Sequence, residues 1–85
     1  MATWYLYILE CSDKSLYTGI TVDLDRRVRE HNEGKGAKYT RMKKPVHLVF
    51  NRTFPDRASA SGEEFRIKKL SRAEKLALIV EHQGI

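Results

Sequence analysis

The chain is poor in cysteine and proline, with one and two respectively among its 85 residues, and no apolar run approaches the length of about 20 residues needed to cross a bilayer. A lone Cys11 excludes a disulfide framework and a cysteine zinc cluster, so it reads as a small buried hydrophobe in a reducing compartment. The N-terminus has no charged segment ahead of its apolar stretch, so a secretory leader is not expected and the protein is expected in the cytoplasm, off the membrane. Repeats, low-complexity tracts and Pro/Gly-rich linkers are also lacking. One domain over residues 1–85 is the expectation, with one core and its chemistry gathered in one site. Acid is in short supply as well: 11 Asp plus Glu face 16 Lys plus Arg, and the net charge of +5 points to an anionic partner.

The positive charge is unevenly placed. Up to Asp25 there is one lysine against four acids, whereas "KGAKYTRMKK" holds five cations (Lys35, Lys38, Arg41, Lys43, Lys44) and no acid. A second basic run, "RIKKLSRAEK", brings Arg66, Lys68, Lys69 and Arg72. Either run could be a solvated lysine face, but together they are a natural nucleic-acid surface.

"TWYLYILEC", the turn-like "SDKS" and the resumed "LYTGI" predict a β-hairpin, and "VHLVFNRT" after Pro45 predicts a third strand of the same sheet. Between strands two and three, Thr21 or Asp23 can cap a helix running to about Asn32, with Leu24 and Val28 inward and Gly34 ending it. A second helix is expected from after Asp56 to about Leu70. "SRAE" at Ser71 to Glu74 forms a capping box before a last helix whose inner stripe reads Ala73, Leu76, Ala77 and Val80. The predicted class is α+β: a small three-stranded antiparallel sheet flanked by helices, in the order β-β-α-β-α-α.

Strand alternation puts Tyr5, Tyr7 and Leu9 on one face, and Tyr17 with Gly19 on one face of the next strand, so two phenols can face one hollow. At about 100° per residue, Arg27 and His31 share the flank of Leu24 and lean toward the sheet. Glu64 lies on the edge of the stripe formed by Ala60, Ile67 and Leu70, and Glu63 beside it is a rival inward carboxylate. Each group also has a plainer role: strand tyrosines pack with a wet hydroxyl, Arg27 can pair with Glu30 or Asp23, and His31 can be an ordinary helix-end residue.

Taken together, "YLY" at Tyr5 to Tyr7, "YTG" at Tyr17 to Gly19, Arg27, the "HN" of His31 and Asn32, "GAKYT" and "IKKLSRAEKLALI" resemble the small stand-alone branch of the GIY-YIG endonuclease superfamily. Ile20 departs from relatives that carry a lysine there, and Leu76 from relatives with a polar residue. The resemblance implies a phosphodiester-hydrolysing site: Tyr7 and Tyr17 beside the attacking water, Arg27 on the scissile phosphate, His31 near that phosphate, and Glu64 on one divalent metal, Mg²⁺ or Mn²⁺. Gly19 would let the backbone approach the phosphate, and Tyr17 or His31 would be the base. The implied partner is DNA, with RNA a second candidate, read with little sequence preference by a monomer that works in repair or on branched and nicked DNA. The alternative is a non-catalytic nucleic-acid binder that keeps the fold.

Overall fold

The computed structural model describes residues 2–82; Met1 and residues 83–85, the ends of the expected domain, lie outside it. Strand β1 (Trp4–Glu10) is central, with β2 (Leu16–Thr21) and β3 (His47–Phe54) antiparallel on either side. Helices α1 (Leu24–Asn32) and α2 (Lys38–Arg41) separate β2 from β3, and α3 (Arg57–Lys68) and α4 (Arg72–His82) follow the sheet. The order and class match the expectation apart from α2, a single short turn inside the first basic run.

Alternation along β1 divides the core. Leu6 and Ile8, with Phe50 of β3, pack against Ile67 of α3 and Ile79 of α4. Tyr7 and Leu9, with Cys11 and Val46, pack against Leu24 and Val28 of α1. The sheet is therefore the middle layer, and α1 lies on the opposite face from α3 and α4. Cys11 is free and buried.

The helix ends follow local chemistry. Of the two candidate caps for α1, Asp23 does the work, accepting from the Arg26 amide at 3.1 Å, while Thr21 receives the Asp23 amide at 3.2 Å. Gly34, at φ 78°, takes the left-handed conformation that closes the helix. Asp56 caps α3 through the Ser59 amide at 2.8 Å, and α3 stops at Lys68, two residues short of the expected Leu70. The Ser71 and Glu74 capping box forms reciprocally, at 2.9 and 3.2 Å.

The stripe expected on α4 is corrected. Ala73, Leu76, Ala77 and Val80 do share a side, but it faces solvent, with Leu76 at 38% and Val80 at 51% exposure. The core side is Leu78 and Ile79, and the His82 ring lies 4.8 Å from that of Phe50. "LALIV" is apolar on every side, so its period cannot select a face; contact with β3 does.

Asn32 has a role the sequence did not show. Its side-chain amide bonds the Val46 backbone twice, accepting from the amide at 2.7 Å and donating to the carbonyl at 3.2 Å. It pins α1 to the start of β3, below the buried Val46. Asn32→Ala leaves both backbone groups without that partner, and a loss of about 1–3 kcal/mol of stability is expected by urea denaturation.

Candidate active site

Tyr7 is the centre of the site. It is directly opposite Gly19 in the strand pairing, and its ring lies across that glycine. A Cβ on Gly19 would stand 2.5 Å from the phenol oxygen and 2.6 Å from Cζ, so no other residue fits beneath the ring. The group that approaches the Gly19 backbone here is the Tyr7 phenol. From this position the phenol reaches His31 Nε2, 3.0 Å away, in a bond buried between β1 and α1.

Tyr17 joins from β2, its ring centroid 6.4 Å from Tyr7 and 5.3 Å from His31. Tyr39 of α2 stacks on Tyr17 at 5.8 Å, and Lys43 Nζ lies 3.8 Å from the centre of the Tyr39 ring. Tyr39 lies within both "GAKYT" and the basic run "KGAKYTRMKK", and that place is the signal the sequence offers for it.

Arg27 is two-thirds covered, with Glu30 accepting its hydrogen bond at 3.1 Å. That ion pair with Glu30 is the plainer role considered for Arg27, and the structure shows it in full. Arg27 also borders an open hollow of about 300 Å³ whose lining includes Trp4, Ile20, Asp23 and Arg26. It thus stands between the solvent-facing hollow and the phenol.

Burial sets the protonation of the buried pair. Loss of water pushes the Tyr7 phenol up to about 12 against the pull of Arg27, while the charges of Tyr17 and Glu64 push the same way as burial. Burial also drives His31 down to about 4, helped by the Arg27 charge and opposed by Glu30. At neutral pH the two are therefore an uncharged phenol and an uncharged imidazole. His31 is completely buried and both its ring nitrogens are engaged, so it does not meet water directly.

Glu64 is tied to the cluster by its charge and, among the described residues, by no hydrogen bond of its own. It comes from α3, on the far side of the sheet, and pairs with Lys68 at 3.2 Å. Its rival, Glu63, is committed to arginines: Arg66 holds it twice at 2.7 Å and Arg52 of β3 once at 3.0 Å. Among the described residues, no three His, Cys, Asp or Glu gather as a metal cluster. A lone carboxylate with one lysine partner still suits Mg²⁺, which often takes one or two protein carboxylates and fills its shell with water.

The basic runs are partly spoken for. Lys43 pairs with Asp13 at 3.3 Å, Lys35 with Glu33 at 3.8 Å, Arg66 with Glu63 and Lys68 with Glu64. Lys38, Arg41, Lys44, Lys69 and Arg72 form no ion pair among the described residues. Ion pairs on an exposed surface are weak, so the paired lysines remain exchangeable for phosphates.

A family model described as the GIY-YIG catalytic domain matches residues 3–77. The chain belongs to the GIY-YIG catalytic domain family. This is a nuclease superfamily of the endonuclease type. A UPF0213 protein of Haloquadratum walsbyi is 54% identical over 81 residues, covering 95% of this chain and 91% of its own. Another from Staphylococcus haemolyticus is 47% identical over 81 residues, covering 95% and 99%. The solution NMR structure of a UPF0213 protein from Bacillus halodurans, 49% identical, superposes with a TM-score of 0.60 over 92% of this chain and 83% of that one. A second NMR structure, of a protein from E. faecalis at 38% identity, gives 0.64 over 98% and 90%. No helix among the described residues is long and apolar enough to cross a membrane.

Proposed function

We propose that this GIY-YIG protein is a divalent-metal-dependent endonuclease that hydrolyses phosphodiester bonds in DNA with little sequence preference. The observation that carries this reading is the convergence of Tyr7, Tyr17, His31 and Arg27, from three elements of a nuclease fold, with Arg27 also lining an open hollow. Hydrolysis of a phosphodiester needs a water that loses a proton and a cation where negative charge develops. The Arg27 guanidinium, at the border of hollow and cluster, supplies the cation. Tyr7, buried behind Arg27 and bonded to His31, is the group that would receive a proton from a water held beside the guanidinium. Tyr17 closes the site toward α2.

Glu64 is the residue that would hold Mg²⁺ or Mn²⁺, and the bound ion would supply Lewis-acid charge for the departing oxygen. Binding rests on Lys38, Arg41, Lys44, Lys69 and Arg72, with the paired cations as a reserve; such contacts to the phosphate backbone carry no base readout. A cytoplasmic monomer acting on branched or nicked DNA is the setting this reading favours. The test is a panel of nicked, branched, single-stranded and duplex DNA and RNA with Mg²⁺ or Mn²⁺, before and after chelator. Scission that the chelator stops is expected. Salt-sensitive binding by folded protein with no scission on any substrate would instead leave a non-catalytic nucleic-acid binder.

The two neighbouring glutamates make an internal comparison. Glu64→Gln removes the charged metal ligand and should lower single-turnover cleavage sharply while DNA affinity holds or rises, because a negative charge leaves a phosphate site. Glu63→Gln should cleave normally. Its ties to Arg52 and Arg66 lie on the protein's surface, so the change should cost at most about 1 kcal/mol per pair by thermal melting. If the two variants exchange behaviours, the metal belongs to Glu63.

A further inference from the structure

The innermost link of the cluster is Thr40, a residue of α2 and the last of "GAKYT". It is completely buried, and its hydroxyl lies between two partners: the Ala37 carbonyl at 3.0 Å and His31 Nδ1 at 2.7 Å. A hydroxyl has one proton to give. A carbonyl can only accept, so that proton goes to Ala37 and the Thr40 oxygen must accept from Nδ1. Nδ1 therefore carries the ring hydrogen, and in a neutral imidazole Nε2 is then a bare lone pair. Tyr7, 3.0 Å from Nε2, has to donate to it. The chain has one direction, from the Tyr7 hydroxyl through His31 and Thr40 to the Ala37 carbonyl.

The ring is also held in place. A Cβ on Gly36 would fall 2.7 Å from His31 Cγ and 2.8 Å from Cε1, so the segment leading into α2 lies flat against the imidazole. Gly36 and Thr40 together fix where His31 is and which nitrogen is bare.

We propose that Thr40 is a positioning residue that locks His31 as its Nδ1–H tautomer, so that His31 accepts the Tyr7 proton when Tyr7 takes one from the attacking water. This deepens the nuclease reading and rests on it. The protons balance: water gives one to the phenol oxygen, and the phenol passes its own to Nε2. The resulting hydroxide forms the new P–O bond, while the bond to the departing sugar oxygen breaks with its electron pair on that oxygen, which takes a proton from solvent. His31 is left as imidazolium with both N–H groups bonded, to Thr40 and Tyr7, and it returns its proton through Tyr7 afterwards. The charged and titratable groups facing it are Tyr7 and Tyr17 of the sheet and Arg27 and Glu30 of α1. Arg27 disfavours the imidazolium at rest and Glu30 favours it. A phosphate drawn to Arg27 would cancel the first effect during turnover.

The experiment is nitrogen NMR of the His31 ring in wild type, Thr40→Val and Thr40→Ser, with single-turnover cleavage and DNA affinity measured on the same samples. Wild type should show a protonated Nδ1 and a bare Nε2. Thr40→Val should move the ring toward the Nε2–H form and slow cleavage by about 10²–10⁴-fold with affinity unchanged, the scale expected of a mis-set catalytic histidine. Thr40→Ser should restore both. A wild-type ring protonated at Nε2 overturns the proposal by itself, whether or not Thr40→Val folds. A switched tautomer with undiminished cleavage overturns the proton-accepting role. If wild type cleaves no DNA, the nuclease reading fails while the spectrum still decides the tautomer.

Discussion

Arg27→Ala should leave a folded, DNA-binding protein that has lost most of its cleavage. The side chain borders the buried Tyr7 phenol but belongs to neither core cluster, and its ion pair with Glu30 is one-third exposed and worth at most about 1 kcal/mol, so the fold should survive its removal. Glu30 is not stranded by the change, because Arg26 holds its other oxygen at 3.2 Å. The loss falls on chemistry. A guanidinium aimed where charge develops is worth roughly 10²–10³ in rate, about 3–4 kcal/mol of barrier. The same charge is what pulls the Tyr7 phenol down against its burial, so without it the phenol titrates higher still and becomes harder to involve in proton transfer. Single-turnover cleavage at saturating Mg²⁺, beside a melting curve and a DNA-binding isotherm, separates these effects. Full activity in a folded variant would reduce Arg27 to an ion-pair partner of Glu30.

Tyr7→Phe is the second large effect expected. The ring keeps its place over Gly19 and against Leu9, so the packing of this face survives. What goes is one oxygen atom. The buried His31 Nε2 loses its donor, which should cost about 1–3 kcal/mol of stability, visible in urea. Cleavage should fall about 10²–10⁴-fold, the usual contribution of a positioned proton-transfer group. With the phenol gone, the pH profile should change as well. In wild type the pair must start with an uncharged imidazole, and His31 is held down to about 4, so the rate should be lost as pH falls through that value. Tyr7→Phe should show no such acid limb in whatever residual rate remains.

The sequence made some of this site legible and hid the rest for identifiable reasons. Period-two alternation is rigid across a hairpin, so the shared face of Tyr7, Tyr17 and Gly19 could be read directly, and the period of α1 placed Arg27 and His31 beside it. Contacts between distant segments leave no such trace. Thr40 reaches His31 through a loop and a single turn of helix, and Asn32 reaches Val46 across the entry to β3; neither spacing has a period to betray it. Helix period puts Glu64 at the edge of the α3 stripe, yet helix geometry alone does not say which side of the sheet the helix covers. The α4 stripe failed for a related reason: with five apolar residues in a row, amphipathicity disappears, and Phe50 chose the face. Charge counting does not show pairing: Lys43, Arg66 and Lys68 have acidic partners that lie elsewhere in sequence or one helical turn away.

The central claim is that one cluster, built on Tyr7 and Arg27, cuts phosphodiester bonds. Its most direct test is a single-turnover time course on one labelled branched DNA at saturating Mg²⁺, with wild type, Arg27→Ala and Tyr7→Phe purified in parallel and each shown to fold and bind. Wild type should cleave, and both variants should be slower by at least about 10²-fold. Three indistinguishable rates, whether all fast or all zero, would contradict the account.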